Sequence, residues 1–175
     1  MSRSIAYWLI PAEPYHQWFA DEIARLAREL DAPRFEPHLT IHSAPFQRSQ
    51  PPAEKLLASV AQRHAPCTLQ PADLNHSSQF TKTLFVEFAT TPKLLSISAT
   101  VGAFARGDRP ELHPHVSLLY KQLSNQRRAS LAAAITVPFE TVIFDEIAAV
   151  LCPKPTANAA DVDAWQMIER LPLGA

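Results

Sequence analysis

Apolar residues along this chain fall into short branched runs and longer amphipathic stretches that alternate in a recurring order. Residues 4–10, SIAYWLI, read as a strand. A helix then starts at Pro14, because proline is tolerated at the first helical position. Phe19, Ile23, Leu26 and Leu30 recur at the spacing of one buried helical face, and Asp31-Ala32-Pro33 ends it. A second strand is expected over 38–44, a helix over 53–63 with Leu56, Leu57 and Val60 inward, and a further strand over 68–74.

The second half repeats this order. TLFVEFA gives a strand over 83–89, and Pro92 opens a helix with Leu95, Ala99 and Phe104 inward. A strand over 115–120 follows, then a helix capped by Ser124 and running to Ile135, then a long strand over 141–151. Residues 164–171 add an edge strand. Each half thus reads strand, helix, histidine-bearing strand, helix, strand. The repeat predicts a duplicated α+β unit: one domain over 1–175 with lobes over 1–77 and 78–175.

Composition narrows the function. The 175 residues, 47% hydrophobic and 19% charged, suffice for one core or for two small lobes sharing one. A net charge of −1 argues against broad, sequence-independent nucleic-acid binding but leaves room for a small basic pocket. The N-terminal apolar run is too short for a signal-peptide core, and no stretch approaches the roughly 20 apolar residues that span a bilayer. Cys67 and Cys152 lack CxxC spacing and read as buried small hydrophobes. The expectation is a cytoplasmic monomer. Gly102, Gly107 and Gly174 are the only glycines, so neither a Rossmann nor a P-loop fingerprint exists. Any phosphate held here is held mainly by side chains.

Two strings carry the chemistry. His38-Leu39-Thr40-Ile41 and His115-Val116-Ser117-Leu118 each read His-x-hydroxyl-apolar on an expected strand. Residues i and i+2 of a strand share a face, so each string presents an imidazole and a hydroxyl to one surface. A histidine has roughly a one-in-eight chance of a hydroxyl residue two places on, so context must discriminate. His76-Ser77-Ser78 is such a decoy, in a polar stretch without strand pattern.

The paired strings resemble the two-histidine phosphoesterase superfamily, in particular its cyclic-nucleotide phosphodiesterase-like branch, over most of residues 4–171. The resemblance implies a duplicated, bilobal α+β fold in which two antiparallel sheets form a central groove with helices outside. It implies metal-independent opening of a cyclic phosphodiester: a nucleoside 2′,3′-cyclic phosphate, a cyclic-phosphate RNA end, or ADP-ribose 1″,2″-cyclic phosphate. The implied product is a 2′-phosphate, or a 1″-phosphate for ADP-ribose. His38 and His115 would be general acid and base, and Thr40 and Ser117 would donate hydrogen bonds to phosphate oxygens. Tyr120 is carried over as a phosphate-facing residue, although strict alternation puts it opposite Ser117 unless the strand bulges.

Further candidates lie around the two strings. Lys82 could pair with phosphate and Phe80 could stack on a base; Arg34 precedes the first string. His42 and His113 extend the two strings on the same face by parity, so four imidazoles could also suit a metal. A hydrolytic metal site usually includes a carboxylate. The nearest, Glu36, Asp108 and Glu111, sit in proline-flanked loops without ligand spacing. No cofactor and no metal are therefore expected. No G-x-S-x-G elbow supports a serine nucleophile. The alternative to an enzyme is a binding module using the same pocket for a nucleotide or RNA end; two proton carriers favour the enzyme.

Overall fold

A computed structural model describes residues 2–48, 51–105 and 111–174. Eight strands, β1 (Ser2–Pro11), β2 (Leu39–Pro45), β3 (Cys67–Leu69), β4 (Pro71–His76), β5 (Leu84–Phe88), β6 (His115–Leu119), β7 (Val142–Lys154) and β8 (Gln166–Pro172), are interleaved with five helices. The helices are α1 (Tyr15–Leu30), α2 (Ala53–Arg63), α3 (Pro92–Phe104), α4 (Asn125–Ala134) and α5 (Ala159–Asp163). This is the expected α+β architecture. Every strand pairing is antiparallel.

The strands run in the order β3-β7-β1-β2-β6-β5-β4, with β8 also paired to β7. Among the described residues, the two halves of the sheet meet through a single pair, Leu39 with Val116. β4 lies with β5 and β6, while β7, from the second half of the sequence, lies between β3 and β1. The halves thus exchange strands. The expected strand over 68–74 is accordingly two strands. Pro71, which lacks an N–H, starts a new one, and only Gln70 separates the opposite edges of the sheet. The sheet must curl to let those edges meet.

Helix positions follow local chemistry. In α1, Phe19, Ile23, Leu26 and Ala27 are buried, and the helix stops where Asp31 turns left-handed at φ 50°. Thr91 caps α3 by accepting from the Leu94 N–H, and Ser124 caps α4 by accepting from the Arg127 N–H. The inward face of α3 differs from expectation. Leu94, Ile97 and Val101 are buried, while Leu95 and Phe104 are exposed. In PKLLSISATVGAF both Leu94-Ile97-Val101 and Leu95-Ala99-Phe104 fit helical spacing, so only packing selects one. The decoy His76 ends a strand after all, paired with Leu84 at the sheet edge.

The core joins one face of the sheet, including Ile5, Tyr7, Leu9, Val116, Leu118 and Phe144, to α1, α2 and α3. The opposite face carries a smaller cluster of Ala6, Trp8, Ile10, Ala148, Val150 and Cys152, with Trp165 packed against it. That second face floors the candidate site. Both cysteines are buried and free. Among the described residues, no helix is long and apolar enough to cross a membrane.

Candidate active site

His38 and His115 are held in the same way. His38 Nδ1 donates to the Glu36 carbonyl at 2.6 Å, and His115 Nδ1 donates to the His113 carbonyl at 2.8 Å. A carbonyl can only accept, so Nδ1 carries the proton in both rings and Nε2 is left for the cavity. Both rings line one cavity of about 420 Å³ together with Thr40, Ser117, Tyr120 and Lys82. The two histidines therefore meet across the junction of the sheet halves.

The motif strands also share an irregularity that parity could not foresee. Tyr7 pairs with His42 and Trp8 with Thr40, leaving Ile41 as an extra residue. Phe85 pairs with Ser117 and Leu84 with Leu119, leaving Leu118 extra. Each bulge falls three residues after its histidine, and each extra residue is buried in the core. Downstream side chains are consequently shifted. Ser43 and Tyr120, both five residues after a histidine, reach the cavity. His42 is turned to the other face, where it pairs with Tyr7 at a ring separation of 6.3 Å.

The expected four-imidazole face does not form: His42, His113 and His115 line a neighbouring depression with Thr40 and Lys82, and His38 is not among its lining residues. His113 contributes its carbonyl, and its side chain is 72% exposed beside Glu111. Among the described residues, no three His, Cys, Asp or Glu side chains come together as a metal site; Asp108 lies outside those residues. Arg34 is exposed and lines a separate depression against α1. Phe80, in a 3₁₀ turn over Phe80–Lys82, packs on Tyr120 at 5.9 Å and is not among the cavity-lining residues. Lys82 does line the cavity, with Nζ 4.4 Å from the Phe85 ring centroid.

Several wall residues escaped sequence reading. Trp8 stacks on His38, and Trp165 meets Trp8, His38 and Tyr120 edge-on. Lys154 and Thr156 come from the end of β7 and the turn after it. Only Trp8 left a signal: YWLI is apolar at every position, which marks a strand buried on both faces. Among the described lining residues there is no carboxylate, while Lys82 and Lys154 are present.

The electrostatics follow from burial. Desolvation pulls His38 down to about 4, opposed by the Glu36 carbonyl bond and reinforced by the nearby His115. Desolvation also lowers His115; the His113 carbonyl bond opposes it and Lys82 adds to it. Tyr120 is raised well above the usual phenol range by burial, with Ser117 as its side-chain partner, so it remains a donor at neutral pH. The Ser117 hydroxyl itself donates to the Thr81 carbonyl at 2.9 Å.

Over residues 1–173 the sequence matches the family described as cyclic phosphodiesterase-like protein. The chain belongs to that family. It is a two-histidine phosphoesterase, and the family supports a phosphoesterase activity. Solved structures extend the likeness of fold over the whole chain. E. coli LigT in apo form shares 17% identity over 99% of each chain, with a TM-score of 0.58. E. coli LigT complexed with 3′-AMP shares 17% over 100% of each chain, TM-score 0.58. A crystal structure of a phosphoesterase shares 16% over 99% of each chain, TM-score 0.57. No curated protein matches the sequence.

Proposed function

We propose that this phosphoesterase hydrolyses a 2′,3′-cyclic phosphodiester of a nucleotide, an RNA end or a related cyclic phosphate, using its two imidazoles and no metal. The observation that carries the reading is the matched pair of Nδ1–H to carbonyl bonds, which leave two Nε2 atoms for proton transfer in one cavity. A carboxylate-free wall with Lys82 and Lys154 suits an anionic substrate.

His38, the deeper ring, is neutral near pH 7 and takes the proton of an attacking water. The water oxygen bonds to phosphorus as one ribose P–O bond breaks. His115 carries a proton in the complex, where phosphate charge favours the imidazolium, and gives it to the departing ribose oxygen. Thr40 and Ser117 donate to the non-bridging oxygens, Ser117 by turning from the Thr81 carbonyl. Tyr120 supports Ser117 and, within an aromatic setting of Phe35 and Trp165, closes the wall.

LigT has been crystallised with 3′-AMP; for this chain the expected product is the 2′-phosphate. The test is hydrolysis of a 2′,3′-cyclic nucleotide panel in EDTA, with product position read by phosphorus NMR. His38→Ala and His115→Ala should each nearly abolish turnover, and His76→Ala should match the parent. Activity that vanishes with chelator and returns with one added metal overturns the mechanism.

A further inference from the structure

The carbonyl that holds His38 belongs to a residue outside every helix and strand, since residues 32–38 form an irregular connection between α1 and β2. Pro33 and Pro37 in this connection have no N–H with which to tie it to the sheet. The matching loop before His115 is tied by main chain, because the Phe88 N–H donates to the Pro114 carbonyl at 3.0 Å. At Glu36 side chains hold the chain instead. Its Oε1 accepts from Arg170 Nη1 at 2.8 Å and from His16 Nε2 at 2.7 Å. Arg170 is itself aimed by Glu146, whose Oε2 accepts from its Nε at 2.8 Å and also from its Nη2. Two elements therefore converge on one loop carboxylate, α1 through His16 and β8 through Arg170, and β7 braces Arg170 through Glu146.

We propose that Arg170 is a positioning residue for the reaction: through Glu36 it fixes the carbonyl that sets the tautomer and orientation of the His38 ring. Arg170 is not among the cavity-lining residues and touches no reacting atom. It acts on a carbonyl two residues from the ring, and guanidinium suits the task because its rigid fork engages Glu36 and Glu146 at once. The carboxylate of Glu36 thereby has a use that involves no metal.

The inference rests on the proposed roles of the histidines, so its test includes a readout that needs no substrate. Arg170→Met, Arg170→Lys, Glu36→Gln and the double variant Arg170→Met/Glu36→Gln are compared with the parent. Imidazole nitrogen NMR reports each ring's tautomer. In the parent both rings should be Nδ1–H; in Arg170→Met and Glu36→Gln, His38 should become a mixture while His115 keeps its pattern. With cyclic nucleotide, kcat should fall roughly ten- to a hundred-fold with KM little changed, as for a misplaced catalytic group. Arg170→Lys should recover part of the loss, and the double variant should be no worse than the poorer single one, because both act through one contact. The proposal fails if both single variants keep the parental His38 tautomer, or if His38 and His115 are disturbed equally together with a large fall in melting temperature. If the parent hydrolyses no cyclic phosphate, the proposed function fails, and the nitrogen spectra still decide the clamp.

Discussion

The indole of Trp8 lies flat on the imidazole of His38, with ring centroids 3.7 Å apart and planes at 16°. Trp8 is 3% exposed, so this is a desolvated aromatic face against the ring assigned as the base. An aromatic face favours a cation over a neutral ring, by about 2 kcal/mol when water is excluded. The stack therefore helps most when His38 takes a proton.

Trp8→Leu should lower the His38 pKa below its value of about 4 and slow turnover by roughly thirty-fold, while Trp8→Phe should lose less. Truncation also leaves a cavity costing about 3 kcal/mol of stability. Imidazole NMR titration and kcat, corrected for folded fraction, check both. An unchanged His38 titration in Trp8→Leu would remove the electrostatic role.

The pH dependence of kcat/KM should be bell-shaped, with its optimum below the ordinary histidine value of 6.5, because burial lowers both rings. Below about 4 the base His38 is lost to protonation; above the lowered His115 value the acid is lost. Lys82→Met removes a cation that lowers His115, so the alkaline limb should move up while the acid limb stays. Movement of the acid limb alone would reverse the assignment of the limbs.

Thr40→Ala and Ser117→Ala should each slow turnover by roughly ten- to a thousand-fold, as when one transition-state hydrogen bond is removed. Ser117→Ala should in addition cost about 1 kcal/mol of stability, since the Thr81 carbonyl loses its donor. Steady-state kinetics and denaturant unfolding separate the two effects. Unchanged kcat/KM in both variants would show that neither hydroxyl meets the phosphate.

Stability itself should depend on His38. Its folded pKa of about 4 lies below the unfolded value near 6.5, so the unfolded chain takes up the proton first as pH falls. The contribution is fully present above pH 6.5, declines as pH falls, and about 3 kcal/mol is gone once pH is below 4. His38→Gln should flatten this part of the stability profile. Unfolding curves between pH 7 and 4 that are parallel for parent and variant would contradict it.

What the sequence determined by itself is local. Most of the order of elements, the Ser124 cap, the α1 face and the two His-x-hydroxyl strings are legible because periodicity, capping and i, i+2 alternation are short-range properties of the chain, whereas the break at Pro71 and the short α5 were not foreseen. The tertiary structure decided everything that depends on register or on distant partners. The extra residues Ile41 and Leu118 arise from pairing with β1 and β5, and they move His42 away from the cavity and bring Ser43 and Tyr120 to it. A one-residue shift exchanges faces, and nothing in either string announces it. Trp165, Lys154 and Arg170 come from the last 22 residues of a 175-residue chain and meet His38 or its holding loop only once β7 and β8 are in place. The core side of α3 was chosen likewise, because this helix contains more than one apolar stripe and only the surface it packs on distinguishes them.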